Sequence, residues 1–294
     1  MTISDVTSEL ASATDLADLL RVGPGFRLAD VEPRSTPGFT GGKFEGEQAL
    51  KAGAEELSEL QEKLFAQARG GASDRSALLV VQGMDTSGKG GIMRHVVGAV
   101  DPQGVTHHAF KAPTEEERRH DFLWRVRRRL PDPGIIGVFD RSHYEDVLVV
   151  RVHGLVPEAE WRGRYDLITA FEREVAGRGT SIVKVMLHIS PREQKRRLTA
   201  RLERLEKHWK YDPGDVDERG HWAAYQAAYQ EALTRCSTAG APWYVVPADR
   251  KWYARWAVQQ LLLRTLREID PQWPSATYDV AAEKARLQES PDTF

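Results

Sequence analysis

The sequence predicts an α/β fold: a mostly parallel sheet of about five strands, covered by helices on both faces. Three observations predict it. The run Leu78–Val81, with two valines, breaks after Gln82 into Gly83-x4-Gly88-Lys89-Gly90-Gly91, and helical order resumes at Ile92–Val97. Short apolar, valine- and isoleucine-rich runs then alternate with longer helical patterns, as strand–helix–strand units require. Finally, the run Ile135–Phe139 ends on an acidic residue, Asp140, and α/β sheets place functional groups at the carboxyl ends of their strands.

Composition sets the outer limits. The 294 residues suffice for one large α/β domain with additions or for two small domains. Hydrophobic residues at 41% and charged residues at 29% are ordinary for a soluble globular protein, and no run approaches the length of a membrane span. The start, Met-Thr-Ile-Ser-Asp-Val, lacks the basic and apolar regions of a signal peptide, so the cytoplasm is the default expectation. Cys236 is the single cysteine, which excludes an intrachain disulfide or a zinc framework. The net charge of −2 argues against general coating of nucleic acid. Basic charge is nevertheless segregated: residues 192–210 hold eight Lys/Arg against three Glu, and residues 118–129 six Arg against one Asp. Local excess of this size suits a polyanion more confined than a duplex.

Taken in order, residues 1–46 read as an irregular arm with a short helix near 14–21, and Glu47–Ala68 as a helix with Leu50, Ala54, Leu57, Leu60 and Leu64 on one face. After the glycine loop and its helix, Val105–Phe110 is a second strand. Thr114 caps a helix through Glu117 that runs to about Arg129. Ile135–Phe139 is a buried strand, and the polar Ser142–Asp146 a site loop. Val147–Val152 fits strand or helix, with helix preferred. Glu158–Ala176 is a helix and Thr180–Ile189 a strand. Arg192–His208 reads as one long helix with Arg197, Arg201, Arg204 and His208 on one face. Trp209–Arg219 is a hinged flap, His221–Ser237 a helix, Pro242–Pro247 the last strand, and the final long helix reaches about Ile269. The domain boundaries expected are an N-terminal arm and helix at 1–70, a core at 71–270 containing a lid at about 192–220, and a tail at 271–294 ordered only in part. Aromatic and apolar faces at 222–232 and 252–266 suggest a homo-oligomer, a dimer or tetramer.

The glycine loop points to phosphate. Backbone N–H groups in such a loop point inward and carry partial positive charge, and Lys89 adds a full one. A glycine turn with a solvated lysine would give the same string, but the preceding strand favours the cradle. The usual phosphate loop follows its lysine with Ser or Thr to bind Mg²⁺; Gly90 has no hydroxyl, so another group must hold the metal. Asp85, inside the loop, would repel phosphate unless a divalent cation lay between them, and is read as a magnesium-facing carboxylate; the alternative is a local Asx turn. Asp140 is the second metal carboxylate, and Arg141 follows it. The basic face at 192–208 is either a phosphate-binding track or a solvated face balanced by Glu203 and Glu206.

Several rare strings then recur in order: Gln82–Gly91, Phe110–Thr114, His120–Arg125, Phe139–Leu148 and Ala241–Asp249. Over roughly residues 40–270 the chain resembles the family-2 polyphosphate kinases. The resemblance implies a P-loop kinase-like, three-layer α/β/α core of the thymidylate-kinase type, with a helical lid. It implies Mg²⁺ dependence, with Mn²⁺ as a substitute, and reversible phosphoryl transfer between inorganic polyphosphate and nucleotides. Asp85 and Asp140 would serve the metal, and Lys89 and Arg141 the transferred phosphate. Gly83, Met84, Thr86, Ser87, Gly88, Gly90, Gly91, Lys111, Arg125 and Glu145 would hold phosphate or nucleotide. Arg197, Arg201, Arg204, Lys207 and Lys210 would hold the polyphosphate chain. No nucleic-acid or membrane partner is expected.

Subtype signals are mixed. Ser142–Asp146 resembles members that accept nucleoside monophosphates as well as diphosphates, yet those commonly carry Asn at the position of Asp140 and a residue other than Gly at that of Gly91. AMP and ADP are the preferred acceptors, with ATP as product and guanine nucleotides as further candidates. Two rival readings are an ATP-dependent nucleotide or small-molecule kinase and a nucleotide-binding regulator without catalysis. A pair of carboxylates beside a lysine disfavours the second, since mere phosphate binding does not need them.

Overall fold

In the computed structural model, which describes residues 13–291, five parallel strands lie in the order β2-β3-β1-β4-β5. They are β1 (Ser76–Gln82), β2 (Val105–Ala109), β3 (Ile136–Asp140), β4 (Thr180–His188) and β5 (Trp243–Pro247). Alternate residues of β1 enter opposite cores. Ala77, Leu79 and Val81 face one, Leu78 and Val80 the other, which is why the strand reads as an unbroken apolar run. From β1 the chain crosses to the edge at β2, returns to β3 beside β1, and then passes to β4 on the other side. The reversal opens a crevice at the carboxyl ends of β1 and β3.

One core is closed by α1 (Ala13–Leu20), α2 (Lys43–Arg69) and a later helix, Lys251–Ile269. α2 begins a turn earlier than its leucine pattern, and the Glu45 carboxylate accepts the Gly42 N–H at 2.9 Å at its start. Its Gly46 is a contact point: a Cβ there would lie 2.1 Å from the Trp252 ring. Next along the chain come α3 (Lys89–His95), α4 (Trp124–Arg127), α5 (Val149–Val152) and α6 (Glu158–Gly177). α7 (Pro191–Leu202), α8 (Gly214–Gly220), α9 (Trp222–Cys236) and α10 (Lys251–Ile269) follow, then α11 (Val280–Gln288). α6 and α9 close the second core. The arm joins both halves: the Val22 N–H donates to the Trp243 carbonyl at 2.9 Å, and Gln230 of α9 bonds the backbone of Phe26 and Leu28.

Two expected helices are shorter. The reciprocal bonds between Thr114 and Glu117 form, at 2.9 and 3.2 Å, but they close only a 3-10 turn at Glu117–Arg119. The backbone is extended at His120, and helix returns only at α4. Tertiary bonding overrides propensity here, because Arg125 Nη1 donates to the Lys111 carbonyl at 2.8 Å and draws the segment across the sheet end. The helix predicted over 192–208 stops at Leu202, whose carbonyl meets His208 Nε2 at 2.8 Å. Leu205–Lys210 then forms a 3-10 turn, so Arg204 and His208 leave the face shared by Arg197 and Arg201.

The aromatic faces at 222–232 and 252–266 are not free for subunit contact. Tyr225, Tyr229, Trp252 and Trp256 are buried within this chain. In the tail, every residue of α11 is exposed. Among the described residues no helix is long and apolar enough to cross a membrane.

Candidate active site

Strand pairing brings the two predicted loops together. Val81 is in register with Asp140, and its carbonyl accepts the Arg141 N–H at 3.0 Å. The chain leaves β1 through Gly83 at φ 149° and Gly88 at φ 120°, with Thr86 between them at φ 62°. Arg141 leaves β3 at φ 63°. A left-handed conformation at a residue other than glycine costs about 1–3 kcal/mol. Both loops facing the crevice therefore hold strained backbone.

The charges converge there. Lys89 folds back over its own loop, with Nζ donating to the carbonyls of Gly83 at 2.8 Å and Met84 at 3.4 Å. Burial and the neighbouring Arg141 guanidinium lower the Lys89 pKa, against the pull of Asp85, Asp140 and Glu145. Arg141 Nη2 meets Asp85 Oδ1 at 2.8 Å, and its Nη1 meets Glu145 Oε2 at 3.4 Å. Among the described residues the Asp140 side chain accepts no hydrogen bond. Asp85 and Asp140 line one cavity with Lys89. Hard carboxylate oxygens beside the amides of a glycine loop are a donor set suited to a hard divalent cation that would complete its shell with phosphate and water. Among the described residues no three His, Cys, Asp or Glu side chains form a ready-made metal cage.

That cavity, of about 690 Å³, is walled by loop residues 85–91 on one side and cations on the other. Of the five residues expected on a polyphosphate track, Arg197, Arg201, Lys207 and Lys210 line it; Arg204 does not. Gly83 and Met84 lie behind the loop, where their carbonyls hold Lys89. Arg197 is buried and bonded throughout to protein groups.

Four further cations line the cavity that the sequence pattern did not single out: Arg94, Arg196, Lys251 and Arg255. Burial, then Arg197 and Arg196, lower the Lys251 pKa to about 8. One signal in the sequence could have found it: Lys251 opens a helix, where the dipole disfavours a cation, directly after the carboxyl end of a strand.

A second cavity, of about 720 Å³, meets the first at Phe110, Lys111 and Arg141. Phe122, Val149, Val150, Leu155 and Val156 give it an apolar wall, and Arg125 and Glu145 add charge. Arg125 is only 7% exposed, and Asp146 Oδ2 lies 3.7 Å from it. Burial raises the Asp146 pKa to about 6 although Arg164 and Arg125 oppose it.

Beneath the Asp140–Asp146 segment lies a buried polar cluster. Lys184 Nζ of β4 pairs with Glu172 Oε2 of α6 and donates to Tyr144 Oη at 2.8 Å and to the Cys236 carbonyl at 2.7 Å. Glu172 Oε1 accepts from Tyr144 Oη at 2.8 Å and lies 3.2 Å from His143 Nε2. His143 and Tyr144, which closely follow Asp140 and Arg141 in the chain, are thus anchored to an internal carboxylate.

Comparisons with known proteins agree with this architecture. The family model for polyphosphate kinase 2 (PPK2) matches residues 42–274. An AMP/ADP-polyphosphate phosphotransferase of Meiothermus ruber is 44% identical over 263 residues, covering 90% of this chain and 96% of that protein. An ADP-polyphosphate phosphotransferase of Rhodopseudomonas palustris is 40% identical over 270 residues, covering 87% and 92%. The crystal structure of polyphosphate kinase 2 from Arthrobacter aurescens superposes with a TM-score of 0.92 at 55% identity, covering 95% of this chain and all (100%) of that one. With the expected five-stranded parallel sheet, a glycine loop set against Asp140-Arg141, and family similarity across nearly all of its length, the chain belongs to the polyphosphate kinase 2 family.

Proposed function

We propose that the protein transfers a terminal phosphoryl group reversibly between inorganic polyphosphate and nucleotides, with AMP and ADP as acceptors and ADP and ATP as products. The observation that carries this reading is the pair of unlike cavities meeting at Arg141 and Lys111. The cationic one, with Arg201, Lys207, Lys210, Lys251 and Arg255, suits a long flexible polyanion. The other, half apolar and half charged, suits a nucleotide, with its base against the Phe122–Val156 wall and its phosphates towards Lys111 and Arg125.

Phosphoryl transfer asks little covalent chemistry of a protein: it must bring two polyanions into line and stabilise charge on the moving group. Lys89, Arg141 and the amides of 84–91 would neutralise the equatorial oxygens at the junction. Asp85 and Asp140 would hold Mg²⁺, or Mn²⁺ in its place, which supplies charge neutralisation and alignment of the phosphates when bound. The lid is assigned to the segment from α7 to α8, tied down by Arg201 to Asp215 at 3.0 Å and by Glu218 to His153 at 2.9 Å. Leu205 and Trp209, 81% and 78% exposed, lie on this segment.

The test is an assay with polyphosphate as the only donor, supplied separately with AMP, ADP, GMP and GDP. ATP forms from ADP, and ADP from AMP. Product that appears only when ATP is the donor would instead make the protein an ATP-dependent kinase.

A further inference from the structure

Arg197 was expected on the polyphosphate track, and its bonding gives it another place. Its side chain is 4% exposed. Nε donates to Glu193 Oε1 at 2.6 Å, Nη1 to the carbonyls of Thr86 and Ser87 at 2.8 Å each, and Nη2 to those of Ala248 at 2.5 Å and Asp249 at 3.1 Å. A guanidinium has five N–H donors, and all five are committed to protein acceptors. None is left for a phosphate oxygen. Arg201, one turn on, is more exposed and bonds at the lid, to the Lys210 carbonyl and Asp215.

The acceptors explain what this arrangement does. Thr86 sits at φ 62° and Gly88 at φ 120°, so the loop runs through conformations that local preference alone would not hold. Fixing the Ser87 carbonyl on Arg197 turns the Gly88 N–H to the opposite side of the same planar peptide. Among the described residues that N–H donates to no protein group, as an amide reserved for a ligand would. The other end of the guanidinium grips the turn between β5 and α10, where Asp249 also bonds the Ser190 N–H and hydroxyl at 2.8 Å each. Glu193 supplies the countercharge from within α7.

We propose that Arg197 is a positioning residue that clamps the Thr86–Gly88 backbone to the β5–α10 turn, presenting the loop amides to phosphate, and that it is not a ligand of polyphosphate. The inference rests on the phosphotransfer reading above and deepens it. It separates two arginines one turn apart on the same helix: Arg197 shapes the cradle, and Arg201 meets the polyanion.

The experiment compares the full-length protein with Arg197→Lys, Arg197→Met and Arg201→Ala. ATP formation from ADP and polyphosphate is measured at low and high ionic strength. Misplacing reacting groups by about 1 Å lowers turnover on the order of 100-fold. Both Arg197 variants are therefore expected to lose about that much kcat, while the KM for polyphosphate and its salt dependence stay as in the wild type. Arg201→Ala is expected to raise KM at low salt and to flatten its salt dependence. Lys keeps the charge but cannot span four carbonyls, so Arg197→Lys retaining wild-type kcat overturns the clamp, as does a raised, salt-flattened KM in either Arg197 variant. Amide hydrogen exchange across residues 83–91 gives a reading independent of turnover and serves if Arg197→Met fails to fold. It quickens in Arg197→Lys and not in Arg201→Ala; unchanged exchange in Arg197→Lys overturns the clamp. A wild type that makes no ATP from polyphosphate defeats the functional reading alone, and exchange still decides the clamp.

Discussion

Replacing Lys184 by Met tests how much the Asp140–Asp146 segment of the candidate site depends on charge buried beneath it. The Lys184 and Glu172 side chains are 0% and 2% exposed, so neither ion has water to fall back on. Lys184→Met fills similar volume but leaves the Glu172 carboxylate with only the hydrogen bonds from Tyr144 and His143, and leaves the Cys236 carbonyl without its donor. Removing one partner of a buried pair destabilises by about 3–5 kcal/mol. At about 2–4 °C per kcal/mol for a protein of this size, the melting temperature should fall by about 6–20 °C. The double variant Lys184→Met/Glu172→Gln removes both charges and keeps an acceptor for Tyr144 and His143. Exchanging a whole buried pair for neutral groups is often close to neutral, so the second change should restore at least about 2 kcal/mol. Urea unfolding of the four proteins in the cycle measures both numbers. A single variant as stable as the wild type, or a double variant no better than the single, would refute the reasoning.

Three further outcomes follow from the same geometry. Burial keeps His143 below its ordinary pKa of 6.5 despite Glu172. For Glu172, burial raises the pKa but Lys184 and His143 outweigh it and hold the group below 4.5. At these two groups the unfolded chain therefore takes up protons first, so their contribution to stability is lost as pH drops below about 6.5 and again below about 4.5, while Asp146, raised to about 6, acts in the opposite sense; a wild type that loses no more stability than a His143→Gln variant on acidification through about 6.5 would contradict the His143 part. Gly83→Ala places a Cβ 2.8 Å from the Leu187 carbonyl and 2.7 Å from Ser87 Oγ at φ 149°, so it should cost more than the about 1–3 kcal/mol of backbone strain alone and lower turnover; wild-type stability and kcat would count against the loop account. Lys89→Ala and Asp140→Ala should each lower kcat at least ~100-fold, by analogy with losing one charge-stabilising group; either variant keeping more than half its activity removes that residue from the chemistry.

The parts legible in the sequence are those fixed locally. Leu78–Val81 and Ile136–Phe139 are buried on both faces and so read as apolar runs, while the Gly83–Gly91 loop and Asp140 announce themselves by residue type at strand ends. The breaks at 120–123 and 203–204 were hidden, because bonds such as Arg125 to the Lys111 carbonyl and His208 to the Leu202 carbonyl decide them across space. Lys184 shows as a lone charge in the apolar run Ser181–Leu187, but nothing local names Glu172 on α6 as its partner. Arg197 and Arg201 are the same residue type one turn apart. What distinguishes them, a loop over 100 residues earlier in the chain against a lid segment just beyond, exists only after folding.

The most direct test is a crystal structure of the protein holding a short polyphosphate and a nucleotide together. The account predicts the polyphosphate among Arg201, Lys207 and Lys251, the nucleotide against Phe122 and Val150, and the two terminal phosphates meeting at Lys89 and Arg141. A nucleotide seated in the cationic cavity, or the two ligands ending too far apart for direct in-line transfer, would contradict it.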